Sequence, residues 1–273
     1  MLEGIYPWVV ATALLHGITL LVSGGALILK RRNLAWAGVA AYAATFLVNT
    51  AMIALLWVRA ERPPFKTLFE TLIFYPWCVA AVTLVLIGLH RLFVLVPFAA
   101  LASLVGLAYA LVRPDVEIVS LPPALQSGWF VPHVVTYFVA YAGLFASFVL
   151  AVLALLEPFW AGRRGAESGS PEGLARYAHQ ACVFGVTALT LGLVMGAVWG
   201  KFAWGDYWSW DPKENWALVT WLAYLAYLHI RLTPAWRGRR AMWLLVFSFG
   251  AVVFTYLGMN LLPSAEKSLH VYQ

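Results

Sequence analysis

Charge is what this 273-residue sequence has least of. Only 11% of its residues are Asp, Glu, Lys or Arg, against roughly 25% in a soluble domain. Set beside 63% hydrophobic residues, that shortage excludes an ordinary water-soluble globule. The alternating segments of about ten residues that mark a membrane β-barrel are missing as well. Cysteine is scarce. Cys78 and Cys182 lie in separate apolar runs and make no Cys-x-x-Cys pair, which argues against a disulfide framework or a dithiol centre. Both read as small packing residues. The N-terminus opens with Glu3 and has no basic stretch ahead of its first apolar run, so no cleavable signal peptide is expected. No internal repeat and no soluble domain is visible.

What is present is a succession of uncharged runs, each near the ~20 residues that carry a helix across a bilayer. A chain in lipid must satisfy its own backbone hydrogen bonds, so these runs read as helices. Eight spans are expected, at residues 6–29, 34–58, 67–89, 92–112, 133–157, 177–200, 216–233 and 241–262. The fold class is therefore an all-α, polytopic membrane helix bundle, with residues 1–273 as a single membrane domain. The net charge of +6 does not indicate nucleic acid, because the basic residues sit between apolar runs, where they orient membrane helices. The connections at 30–33, 90–91, 158–176 and 231–240 hold 11 of the 18 lysines and arginines. Positive-inside bias then puts both termini, and residues 59–66, 113–132, 201–215 and 263–273, on the outer side of a bacterial inner membrane.

Residues 199–216, W-G-K-F-A-W-G-D-Y-W-S-W-D-P-K-E-N-W, read as an outer loop and hold five of the 14 tryptophans, interleaved with Asp206, Asp211, Lys213 and Glu214. Two readings fit. An aromatic belt at headgroup depth accounts for one or two indoles per helix end. A platform for a large flat apolar ligand accounts for the crowding, by stacking on Trp204, Trp208 and Trp210. Trp208 and Trp210, two apart, face opposite ways if the segment is extended. Gly205 would permit close backbone approach. Pro212 suits the first turn of a helix capped by Asp211, and Glu214, three residues on, completes a capping box.

Six histidines occur. His133, where the fifth span leaves the outer surface, and His270, in the C-terminal tail, fall on the side of the tryptophan-rich segment. His229 lies 13 residues past Trp216, roughly 20 Å along a helix. It either reaches towards Arg231 at the inner face or ligands something within the membrane. His16 sits mid-helix in the first span, suited to bonding a neighbouring helix. His90 and His179 read as interfacial.

W-G-D-Y-W-S-W-D-P-K-E, residues 204–214, resembles the "WWD" signature of the haem-handling membrane protein superfamily. The run that follows, N-W-A-L-V-T-W-L-A-Y-L-A-Y-L-H, resembles the CcsA (ResC) branch, the membrane subunit of the system II cytochrome c synthase. L-Q-S-G-W-F-V-P-H-V at 125–134, P-P-F-K-T-L-F-E-T-L at 63–72 and L-H-V-Y near the end are similar to further stretches of that family. The family tail usually reads G-L-H-S-Y-G, where this chain has E-K-S-L-H-V-Y.

The resemblance implies that His133 and His270 are axial ligands of haem iron on the outer side, flanking the signature, and that His229 holds haem in transit within the membrane. Trp204, Gly205, Trp208, Trp210 and Asp211 would cradle the ring. It further implies ferrous haem b as bound substrate, the CxxCH motif of apocytochrome c as acceptor, and a CcsB (ResB)-like membrane protein as separate partner. Membrane lipid is the remaining contact. The expected function is to carry haem across the membrane and present it for thioether attachment, within a holocytochrome c synthase. Two other functions fit the same residues: a haem transporter or chaperone without attachment activity, and a quinone-binding or structural membrane subunit.

Overall fold

The computed structural model describes residues 4–112, 120–160 and 171–258. Among them the chain is helical, with no strand. It forms α1 (Tyr6–Leu29), α2 (Arg32–Ala60), α3 (Leu68–His90), α4 (Leu95–Leu111), α5 (Phe130–Trp160), α6 (Pro171–Trp204), α7 (Pro212–Ile230) and α8 (Arg239–Tyr256), plus short 3-10 turns at Pro123–Leu125 and Pro234–Trp236. Each expected span has its helix. By length and composition, α1, α2, α3, α5 and α6 are long and apolar enough to cross a membrane. α4 is apolar but has 17 residues, about 26 Å at 1.5 Å per residue. α7 opens on Lys213, Glu214 and Asn215, and α8 on Arg239 and Arg240, which lowers the apolarity of both.

The described residues fall into two compact units that divide between Leu121 and Pro122. In the first, α1 packs against α2 and α4, and α3 against α2 and α4. One stripe of α1 (Thr12, His16, Thr19, Ser23) is buried although polar. The contact is close: a methyl on Gly38 of α2 would lie 3.0 Å from Ser23 Cβ and 3.2 Å from its Cα. Small residues allow that approach where lipid gives helices no hydrophobic drive to associate. At the start of α3, Arg62 and Glu70 form a salt bridge at 2.7 Å with side chains 7% and 3% exposed. Glu70 is also the third residue of a capping box with Thr67.

In the second unit α5 is the most buried helix, packed along α6 and against α8, while α7 packs on α8 and α6. Thr220 of α7 and Thr255 of α8 share a hydrogen bond at 2.9 Å, and the Trp216 and Phe254 rings meet at a 50° tilt with centroids 4.2 Å apart. At the opposite end Arg231 and Arg237 bond the carbonyls of the α7–α8 turn, and Arg239 donates to Leu155 O of α5 at 3.2 Å. Cationic side chains there complement the negative ends of α5 and α7. Cys78 and Cys182 are free and buried, as expected of packing residues.

Candidate functional site

His133 lies in the first turn of α5, beside the last third of α6. Its Nδ1 is 2.9 Å from Gly192 O. A carbonyl only accepts, so Nδ1 carries a proton; in the neutral ring the lone pair is then on Nε2. A second bond of this kind is what fixes the orientation and tautomer of a metal-ligating histidine. The ring sits 4.8 Å from Tyr137 and 5.5 Å from Trp199 between centroids. The approach depends on two missing side chains. A methyl on Gly196 would fall 2.6 Å from His133 Cε1, and one on Gly192 would fall 2.5 Å from Tyr137 Cδ2. Gly192, Gly196 and Gly200 recur every four residues, a small-residue stripe of the kind that lets membrane helices meet. That spacing is the sequence signal for the close approach of α6 to α5.

The tryptophan-rich segment is mostly not a loop. α6 continues to Trp204, so Trp199 and Trp204 are helical and only residues 205–211 are irregular. Trp199 is 3% exposed, and its Nε1 donates to Ala124 O at 2.9 Å. It also packs on Phe130 and Trp204, at 5.6 and 5.0 Å. It therefore ties the segment before α5 to α6 and is core rather than platform. Beside it an open groove of about 300 Å³ is lined by Pro123, Ala124, Gln126, Ser127, Trp129, Phe202 and Ala203. Gly205 ends α6. Its φ of +94° is one that side chains avoid, its N–H bonds Lys201 O at 3.2 Å, and Lys201 Nζ bonds its carbonyl at 2.6 Å. What the described structure asks of this glycine is that turn, since nothing lies within 4 Å of a Cβ built there. The chain then folds back over Gly200, where a methyl would be 3.1 Å from Asp206 O.

Trp208 and Trp210 do not point to opposite faces. Their rings meet edge to face, centroids 6.1 Å apart at 85°. The reason is Trp210 itself, at φ +58°. A left-handed residue breaks the extended alternation on which the expectation rested. Asn215 Nδ2 donates to Trp210 O at 2.9 Å, and Glu214 Oε2 accepts from Ser209 N at 2.9 Å and Asp211 N at 3.1 Å. These bonds hold the turn, and the Trp210 ring stands 69% exposed. Asp211, 5% exposed, caps α7 through Lys213 N at 2.8 Å, so α7 begins at Pro212 as the capping box predicts. Sequence reasoning missed the parts played by Ser209 and Asn215.

His133 of α5, Trp199 and Trp204 of α6 are thus in one group, and Trp208, Trp210 and Asp211 share the turn that follows. His229 is exposed in the last turn of α7, 17 residues past Pro212, or about 25 Å along the axis. It is not brought to His133. His270 lies outside the described residues. His179, expected at an interface, bonds Tyr227 OH of α7 through Nδ1 at 3.2 Å.

Residues 65–265 match the family described as "Cytochrome C assembly protein". The chain belongs to that family, in its CcsA branch. A cytochrome c biogenesis protein CcsA of Synechococcus sp. is 32% identical, the match covering 96% of this chain and 92% of that one. CcsA of Guillardia theta is 31% identical over 91% and 89%. Among solved structures, the chain is similar in fold to "Cytochrome c Heme Lyase CcmF", with a TM-score of 0.70 at 17% identity. That match covers 93% of this chain and 46% of the other, so the chain spans about half the length of that structure. The CcsA-family chain is accordingly a multi-pass membrane protein with a role in cytochrome c assembly.

Proposed function

We propose that this chain carries haem to the His133 end of its second unit and presents it there for thioether attachment to the CxxCH motif of apocytochrome c. Haem is the substrate, taken as ferrous haem b. The observation that carries the proposal is the bond from His133 Nδ1 to Gly192 O, with Tyr137 and Trp199 against the ring. It orients the ring so that in its neutral form Nε2 is chemically suited to iron. Trp204, Trp208 and Trp210 offer aromatic faces to a flat apolar macrocycle, next to the turn closed by Gly205 and Asp211. His270 is proposed as the second axial ligand. His229, exposed on α7 at the other end, is proposed as a ligand within the membrane, paired with a residue from a CcsB-like partner. The proposal sets these events in a bacterial inner membrane, with both termini and the His133 end on the outer side.

The acceptor's histidine displaces one axial imidazole, which sets the two cysteine thiols beside the vinyl groups. Each S–H then adds across a C=C. Sulfur bonds one vinyl carbon, hydrogen the other, and no group leaves. That chemistry belongs to haem, and the protein's part is positioning.

The test is co-expression with a CcsB-like partner and a CxxCH acceptor, followed by absorption spectroscopy. The wild type is expected to show a low-spin bis-histidine haem spectrum and to yield covalent haem on the acceptor. His133→Ala should lower retained haem about tenfold or more. Gly196→Ala, which drives a methyl into the His133 ring, should do the same at unchanged helix content. Haem bound but never attached would reduce the function to chaperoning. A colourless preparation from haem-replete cells would overturn the proposal.

A further inference from the structure

The first unit contains buried polar atoms that no bond within it explains. His16 is 1% exposed and neither ring nitrogen has a hydrogen-bond partner; the same holds for both amide atoms of Asn49, also 1% exposed. The Tyr42 hydroxyl and Ser103 Oγ, on residues 0% exposed, face each other but close no bond of good geometry.

These atoms share one neighbourhood. Thr12 Oγ1, which donates to Trp8 O at 2.8 Å, lies 3.9 Å from Met52 Sδ, and Thr19 Oγ1 lies 3.4 Å from Thr45 Oγ1. The two contacts fix an antiparallel register of α1 on α2. His16, between Thr12 and Thr19, is therefore level with Val48 and Asn49. Asn49 and Tyr42 are seven residues apart on α2, two turns along one face. The Tyr42 ring meets the His16 ring edge to face at 5.9 Å, and its hydroxyl is turned towards Thr83 of α3 and Ser103 of α4.

We propose that this neighbourhood is a hydrated site, in which internal water bridges His16, Asn49, Tyr42 and Ser103 between the four helices of the first unit. The four polar atoms of His16 and Asn49 need partners, and the Tyr42 and Ser103 hydroxyls have bonding capacity to spare; an internal water makes about three bonds, so about two waters satisfy the set. A direct bond between His16 and Asn49 would satisfy two of these four and leave two. The lining offers donors and acceptors together: a neutral imidazole, a carboxamide and two hydroxyls. Water has the same dual capacity. A cation has no carboxylate among the four side chains to meet it, and an apolar guest would leave His16 and Asn49 unpaired. The site is independent of the haem proposal, since it lies wholly within α1–α4. It explains why a histidine and an asparagine occupy positions that a lipid-embedded bundle otherwise fills with apolar residues.

X-ray radiolytic footprinting of the full chain in lipid nanodiscs tests this, because hydroxyl radicals form where water resides and label the side chains beside it. Tyr42 and Met52, both 0% exposed, are expected to oxidise about tenfold faster than Met242, which is 3% exposed and serves as a dry control. The His16→Leu/Asn49→Leu chain should lose that excess. Equal rates at Tyr42, Met52 and Met242 in the wild type would overturn the proposal, whether or not the variant folds. So would an excess that persists unchanged in a folded double variant.

Discussion

The first turns of α3 and α7 are built alike. Each has an N-cap side chain that accepts a backbone N–H, Thr67 and Asp211, and a glutamate three residues on, Glu70 and Glu214, that reaches back to the cap. They differ in what else the glutamate holds. Glu70 takes Arg62 on both oxygens, at 2.7 and 3.1 Å, and accepts from the amides of Lys66 and Thr67. Its turn is sealed into the first unit. Glu214 accepts instead from the amide and hydroxyl of Ser209 and from Asp211 N, while its neighbour Asn215 bonds the Trp210 carbonyl. That turn is fixed but open, and it displays an indole. The same local code starts a helix in both places, and the tertiary neighbours decide whether the turn becomes core or surface.

The largest expected effect comes from breaking the sealed turn. Arg62→Leu leaves Glu70 as a buried charge without its cation and should cost about 3–5 kcal/mol. The readout is a lower unfolding midpoint in detergent; an unchanged midpoint would show that the pair does not stabilise the unit. Glu214→Ala should cost less, about 1–2 kcal/mol, because the lost bonds lie in a half-open turn. Amide exchange at Ser209 and Asp211 should quicken, and protection equal to wild type would count against Glu214 as the clamp. The smallest effect has the opposite sign. Trp210 sits at φ +58°, a conformation that costs a side chain roughly 1–2 kcal/mol. Glycine adopts it freely but loses more chain entropy on folding. Trp210→Gly should therefore stabilise by about 0.5–1 kcal/mol while weakening haem retention. A drop in stability would mean that the indole is packed rather than displayed.

Much of the fold was legible because the signals are local. α1 occupies residues 6–29 as expected, an apolar run bounded by Pro7 and by Lys30, which closes the helix at φ +53°. Asp211, Pro212 and Glu214 announced the start of α7 for the same reason. The extent of α6 was not legible. Composition marks the part that fits lipid, but Pro171 and Glu172 suit a helix start outside it, and Trp199 to Trp204 continue the helix past the apolar run. The orientation of Trp208 and Trp210 was also hidden, because it hangs on a single left-handed residue held by Asn215. His133 was picked out as a site residue, but its anchor was not, since the bonding carbonyl belongs to Gly192, 59 residues later.

By itself the sequence determined which segments leave water and where several helices begin, because apolarity and capping act within a few residues of one another. Only the tertiary structure decided which His133 nitrogen donates to the backbone, that Trp199 is core while Trp210 is displayed, and that His16 and Asn49 share a buried neighbourhood. Those outcomes depend on donors, acceptors and missing side chains contributed by helices far apart in the chain.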